Sequence, residues 1–447
     1  MSLAPTPTAR SRAPLFVLCW LCLMADGYDL LAYGATLPSL IGQPPFSLTV
    51  EQGGHIGSLA LAGMLAGSLV AGTLTDVVGR RRIFISSVAL FSAGTLVTGL
   101  APTLEVFVVF RTLTCVGVGG LLPTAVALAS EFAHPRNRSR TLGLVLTGPP
   151  LGMLLASSVA SQVVPVHGFR PVYVAGGAVL LLVPVLVKLQ PESPAFHAAR
   201  GRHELAAALR SRYGLPPEQV PATAPGAAGG RNPLRSLLSG RDRWPTLLIW
   251  GTTFFSLLTV FGISTWLPQV MARSGYGLGS SIVLLGVYCT GAVVGTLAAS
   301  AVADRVGPKP LVLTGYLTAA AALLAISLRP PTPLLVVLVL LAGFGGLGTQ
   351  NVLNDLVSRY YPAAHRASGL GWALGVGRLG AIVGPTFGAW AVAGDEPLSA
   401  TTTAFAATAL AGALVVLFVP AQRRAPEGPA VAAAGPREPL SATGGAS

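Results

Sequence analysis

Four charged residues stand in stretches that otherwise carry none. Asp26 and Asp29 lie within MADGYDLLAYG, and on a helix their three-residue spacing puts them on nearly the same face. Arg111 stands in VFVVFRTLTCVGVGG and Arg378 in GWALGVGRLGAIVGP, each among apolar and small neighbours. Two carboxylates that close cannot both ionise cheaply, so such a pair suits the uptake and release of protons. Arginines facing them can hold an anion. The same four groups have another use, as ion pairs between helices, Asp29 with Arg111 for instance, that serve assembly alone. None of the six histidines falls in the middle of an apolar segment, which leaves any proton exchange to the carboxylates.

The elements that must position these residues follow from hydropathy. The 447 residues are 52% hydrophobic and 10% charged, against roughly a quarter charged in an ordinary soluble domain. Apolar runs of roughly 18 to 26 residues recur along the chain, and about 20 residues span a bilayer as a helix. Spans are expected at 14–40, 54–75, 83–101, 104–130, 141–165 and 169–189, and again at 245–271, 281–302, 310–328, 332–357, 368–393 and 401–420. The implied fold is an all-α polytopic membrane protein with twelve transmembrane helices in two pseudo-symmetric six-helix bundles. Inside a bilayer each charge costs at least about 2.5 to 3.5 kcal/mol on insertion scales, so Asp26, Asp29, Arg111 and Arg378 each need a reason to be there.

The net charge of +13 would raise the question of nucleic acid in a soluble protein. Here its distribution answers otherwise, and no nucleic-acid partner is expected. About 24 of the 29 Lys and Arg residues fall on one side of the predicted spans, and only Arg170, Arg273 and Arg329 on the other. The positive-inside rule then places both termini and the long central loop in the cytoplasm of a multi-pass protein of the cell's inner (plasma) membrane. The organisation is a tail over 1–13, a bundle over 14–189, a linker over 190–244, a second bundle over 245–420 and a disordered tail over 421–447. The linker, with its PPEQVPATAPGAAGG run, reads as partly disordered. The halves echo each other at an offset of 228 residues, which carries Asp76 onto Asp304 and Arg138 onto Arg366. A six-plus-six duplication suits two halves rocking about a central site.

Around Asp76 the run GTLTDVVGRRR, from Gly72 through Gly79 and Arg80 to Arg82, occupies a turn between two helices. Its glycines allow close helix approach, its aspartate can accept from a helix N-terminus, and its arginines face anionic lipid. Gly72, Asp76, Gly79, Arg80, Glu131, Arg138, Asp304 and Arg366 are the expected gating residues, although a basic loop that only sets topology explains Arg81 and Arg82 equally well. Tyr28, Tyr33, Trp266, Tyr288, Gln350, Asn351, Asn354 and Trp372 are the polar and aromatic side chains placed to line a path, each on its own as readily a packing residue.

Several motifs carry nothing. Cys19 and Cys22 have CxxC spacing but no second ligand pair, and all four cysteines sit in apolar segments, so neither a disulfide nor a metal is expected. GVGRLG, Gly375 to Gly380, spells a dinucleotide fingerprint inside an apolar helix that follows no strand. There is no Walker A sequence. The first apolar segment is too long for a signal-peptide core and lacks a small-residue cleavage site, so it is kept as a membrane helix. No cofactor and no enzymatic activity are expected.

At these residues the chain resembles the major facilitator superfamily over nearly all its length, the linker and tails excepted. The run from Gly72 to Arg82 resembles the superfamily's loop motif, and Asp26-Gly27-Tyr28-Asp29 is similar to the signature of the aromatic acid:proton symporter family. DGYDLLAYGATLPSL resembles the benzoate-type members. Arg111 with GVGGLLPTAVALASEF, the Thr265-Trp266-Leu267-Pro268 stretch, and Tyr361-Pro362 through the Arg378 run add further agreement. The second loop departs from the pattern, with Pro308-Lys309-Pro310 where basic residues are usual. The resemblance implies that Asp26 and Asp29 are the essential proton-coupling pair, that Asp76 and Asp304 are loop aspartates, and that Arg111 and Arg378 meet a substrate anion. Tyr28, Tyr33, Trp266, Asn351 and Trp372 complete the expected substrate site.

The expected function is proton-coupled uptake, by alternating access, of an aromatic carboxylate such as benzoate or a hydroxybenzoate, by a monomer in the lipid bilayer. Its partners are that small molecule and protons. Two readings compete: proton-antiport efflux of a drug or metabolite, and a non-transporting membrane sensor of aromatic acids.

Overall fold

A computed structural model describes residues 11–134, 137–216, 238, 243–361, 366–393 and 397–420. Within its helices, the side chains of Asp76, Ser139, Ser300, Asp304, Asn351 and residues 366–368 lie outside the described set, as does the terminal tail over 421–447. Twelve spans appear in the expected order. The first half contains Ala13–Leu40, Val50–Val78, Arg80–Leu100 and Leu104–Phe132 as unbroken helices. Its fifth span joins Arg138–Val145 to Gly148–His167, and its sixth runs Arg170–Gly177, a 3-10 stretch Ala178–Leu182, and Val183–Leu189. The second half contains Arg243–Arg273, Leu278–Val306 and Pro308–Ser327, a tenth span split into Thr332–Gly345 and Leu347–Tyr360, then Arg366–Val392 and Pro397–Phe418.

Eleven of these spans are long and apolar enough to cross a membrane. The remaining one, Arg366–Val392, has the length with 27 residues, but Arg378 and its many glycines dilute its hydropathy. Local sequence explains the helix ends. Thr49 and Gln52 form a capping box on the second span, with Thr49 Oγ1 accepting from the Gln52 amide at 3.1 Å and Gln52 Oε1 from the Thr49 amide at 2.9 Å. Gly79 and Gly307, 228 residues apart, each join two spans as a single residue with φ of +112° and +85°, a conformation that only glycine adopts without strain.

Packing repeats the duplication. The first span packs on the fifth as the seventh does on the eleventh; the fourth gathers the second and third as the tenth gathers the eighth and ninth; the third meets the sixth as the ninth meets the twelfth. The halves meet through the second span on the eleventh and the fifth on the eighth, with the first against the seventh. These contacts gather on the side away from the linker. Ser58 and Thr386 hydroxyls lie 2.7 Å apart there, and Ser157 Oγ donates to the Ile282 carbonyl at 2.8 Å. Gly34 backs onto the Ser264 carbonyl so closely that a Cβ would overlap it. Toward the linker side the second, fifth and eleventh spans separate, and a Cβ added at Gly72, Gly143, Gly371 or Gly375 would meet nothing within 4 Å.

The linker is more ordered at its start than its composition predicts. Two helices, Pro194–Ala199 and His203–Arg212, occupy its first part. Ser193 caps the former, accepting from the Phe196 amide at 3.0 Å. The capping serine followed by proline is a local start signal present in the sequence.

Candidate functional site

The first and fourth spans bring Asp29 and Arg111 together near the centre of the first half. Arg111 Nη1 donates to both Asp29 carboxylate oxygens at 2.8 Å, and Nη2 to the Asp29 carbonyl at 3.2 Å. Thr95 Oγ1, from the third span, lies 3.2 Å from Asp29 Oδ1. The guanidinium sits between the rings of Tyr33 and Tyr173, at 5.7 and 5.8 Å from their centroids, within cation–π range. Asp29 is 1% and Arg111 3% exposed. Satisfaction by further hydrogen bonds is what sustains a buried pair: both Asp29 carboxylate oxygens are engaged, whereas Arg111 Nε is buried without a hydrogen-bond partner among the described residues.

Asp26, one turn earlier, is as deeply buried and differently placed. Its Oδ1 has no hydrogen-bond partner among the described residues. Its electrostatic neighbours are Asp29 and Arg378, which reaches in from the eleventh span in the other half. Among the described residues Arg378 donates from Nη1 to the Met64 carbonyl of the second span at 3.4 Å and makes no ion pair. The two aspartates, equivalent by spacing, are thus unequal in structure. One is saturated, and the other faces a cation across the interface between halves.

A small cavity of about 20 Å³ adjoins Arg111, with Tyr33, Cys115, Phe261, Ser264 and Thr265 among its lining residues. That is room on the scale of one water molecule. An aromatic ring does not fit beside Arg111 in this conformation.

The remaining expected site residues divide. Tyr28 donates to the Val172 carbonyl at 3.0 Å, Tyr33 to Gly53 at 2.6 Å, and the Trp266 indole to Pro385 at 2.8 Å. All three are buried, with their polar tips already engaged. Trp372 is half-exposed and stacks on Trp250 with centroids 5.9 Å apart. Gln350 accepts from Ser256 at 2.6 Å and donates to Asn354 at 3.2 Å. The Asn351 side chain lies outside the described residues. In the expected gating set, Arg80 and Glu131 form an ion pair, and Ser193 Oγ donates to the same carboxylate. Arg138 and Gly72 are exposed. The side chains of Asp76, Asp304 and Arg366 lie outside the described residues.

The sequence reading missed Thr95, Tyr173, Met64, Phe261, Ser264, Glu192 and Ser193. Each enters through contacts between distant segments; the first five are neutral residues in apolar helices and carry no local signal, while Glu192 and Ser193 lie in the linker, where only the Ser193-Pro194 helix start could have pointed to them. Among the described residues no group of three or more His, Cys, Asp and Glu side chains is placed to hold a metal ion. All four cysteines are free and buried.

The Major Facilitator Superfamily model matches residues 19–373 and 278–444. The chain belongs to the major facilitator superfamily. Among its relatives, the benzoate transport protein of Acinetobacter baylyi is 29% identical over 91% of this chain and 89% of its own. The gallate transporter of Pseudomonas putida is 32% identical over 92% of each. Among solved structures, the xylose transporter XylE from E. coli, in a partially occluded inward-open conformation, superposes with a TM-score of 0.70. That match has 18% identity and covers 91% of this chain and 98% of the other. This superfamily likeness fixes the twelve-helix transporter fold and makes the chain an integral membrane protein of a transport family.

Proposed function

We propose that this transporter carries an aromatic monocarboxylate into the cell together with a proton, by alternating access. Its relatives, named for benzoate and gallate transport, supply the substrate class. The observation that carries the mechanism is the inequality of the aspartates: Asp29 is consumed by Arg111, while Asp26 has an unpartnered oxygen within electrostatic reach of Arg378. Arg378 is the anchor for the substrate carboxylate, and Asp26 is the proton site. The Arg111–Asp29 pair is a rigid, neutral wall that holds the first span in register.

Coupling then follows from charge balance. With Asp26 ionised, the four groups sum to zero. An anion arriving on Arg378 leaves one uncompensated negative charge in a low-dielectric interior, which is costly. A proton on Asp26 restores neutrality, so loaded carrier and empty carrier cross as neutral species. The positive-inside rule puts the linker side in the cytoplasm of the plasma membrane. By that orientation the contacts joining the halves lie on the outer side, and the present conformation faces inward.

The test is uptake of radiolabelled benzoate and 4-hydroxybenzoate into proteoliposomes, with and without an inward proton gradient. Gradient-dependent accumulation of either acid is the expected outcome. Uptake of neither, by protein shown to be folded, overturns the substrate class.

A further inference from the structure

A second polar cavity lies outside the transport path, where the linker folds back beneath the first half. Its volume is about 450 Å³ and its walls include Arg81, Gln190, His197, Leu205, Leu209 and Arg212, a size typical of small-molecule sites. Several of its polar groups lack partners. Gln190 is only 2% exposed, yet its Oε1 has no hydrogen bond, and Arg81 Nε and His197 Nδ1 are buried and unpartnered too. In a folded interior such groups are normally satisfied.

The charge of the cavity is positive. Its one carboxylate, Glu192, is already engaged, with Oε1 accepting from the backbone amides of Arg81 at 2.9 Å and Ser193 at 3.0 Å. The guanidinium of Arg81 is oriented by donation from Nη2 to the Val187 carbonyl. Arg212 is exposed on the rim, and no described residue accepts from it. The guanidinium groups of Arg81 and Arg212 and the ring of His197 offer donors from several directions, which suits a tetrahedral group with several oxygens, while the orphan Gln190 Oε1, an acceptor, suits a hydroxyl carried by that group or its ester. Arg81 lies in the first turn of the third span and Gln190 caps the end of the sixth, so the cavity sits at the level of the membrane surface. Leu205 and Leu209 give it an apolar side.

We infer that this cavity binds a phosphate group, carried by an anionic phospholipid or by a soluble phosphoester. An occupant there bridges the start of the third span and the His203–Arg212 helix, and so holds the linker against the first half. The test uses the delipidated full-length protein and thermal unfolding as readout. One arm titrates inorganic phosphate or glycerol phosphate into detergent-solubilised protein. The other compares nanodiscs of phosphatidylcholine with and without phosphatidylglycerol. Loss of one charge-assisted hydrogen bond in Arg212→Gln raises the half-saturating concentration by about tenfold, while Arg202→Gln, exposed on the same segment, leaves it unchanged. Because Arg212 is exposed and its side chain donates to no described residue, its variant is expected to fold even if Arg81→Gln does not. Stabilisation by the lipid alone assigns a headgroup site, and stabilisation by soluble phosphate assigns a phosphoester site. No stabilisation by either, or equal responses from the two variants, overturns the inference.

Discussion

Asp26 and Asp29 are separated by three residues, yet they are expected to fail in different ways when neutralised. Asp26→Asn keeps the shape and removes only the proposed proton site. With a one-unit pH gradient a proton-coupled carrier would accumulate substrate about tenfold at steady state, and this variant is expected to retain counterflow exchange, in which the loaded carrier crosses neutral, while losing accumulation and slowing net uptake, because its empty form carries an uncompensated charge. Loss of counterflow as well would mean that Asp26 serves binding rather than coupling. Asp29→Asn instead strands the buried Arg111, a change that costs about 3 to 5 kcal/mol, so it should lower the thermal transition. Adding Arg111→Met to it should recover most of that loss, read by unfolding of the purified double variant. Arg378→Gln leaves no ion pair unmatched among the described residues, so its deficit should lie in substrate Kd, with the fold intact. The charges themselves were legible in the sequence, because four ionisable groups inside apolar runs are costly enough to announce a purpose. Their pairing was not. A three-residue step turns a helix face by roughly 60°, enough to aim one carboxylate at the fourth span and the other at the eleventh, and only the packing of spans 82 residues apart decides which.

At the scale of elements, the glycines sort the surfaces that stay together from those that part. Gly34 has no room for a side chain against the Ser264 carbonyl of the seventh span, whereas Gly371 in the eleventh has open space around it. Gly34→Ala is therefore expected to lower the melting temperature. Gly371→Ala is expected to raise it modestly, since alanine improves an exposed helix interior by about 0.5 to 1 kcal/mol over glycine. A bulkier Gly371→Leu should keep normal stability but slow turnover, because the space it fills closes when the carrier opens to the other side; an unaffected transport rate would show that Gly371 stays clear of that closure. Periodic apolar runs made the spans legible, along with the turn at Gly79. The break after Gly345, the 3-10 stretch at 178–182 and the two linker helices were not read, since each interrupts or follows an apolar run without changing its average. The Ser193-Pro194 start signal was in plain view but was absorbed into the low-complexity run that begins only later in the linker.

For the whole molecule, the closed side of the interface offers a direct test of the rocking cycle. Ser58 and Thr386 stand across the second and eleventh spans with hydroxyl oxygens 2.7 Å apart, a separation from which two cysteines can form a disulfide with little movement. The native cysteines are all buried, so the engineered pair is the one that oxidants reach. The Ser58→Cys, Thr386→Cys protein should lose transport on oxidation and recover it with reductant, while oxidised protein still binds substrate from the linker side. Full transport by the cross-linked protein would mean that the halves do not separate there, and the alternating-access reading would fall. The neutrality proposed for Asp26 and Arg378 bears on the energetics of the proposed cycle. If one proton crosses with one monoanion, accumulation follows the pH gradient at about 1.4 kcal/mol per unit and ignores voltage. A second proton would add about 2.3 kcal/mol per 100 mV. Clamping the membrane potential of proteoliposomes at fixed pH gradient separates the cases. Steady-state uptake independent of voltage supports one carboxylate, Asp26, as the coupling site, whereas a voltage-dependent level requires a second group to carry charge, and the saturated Asp29 would have to leave Arg111 to provide it.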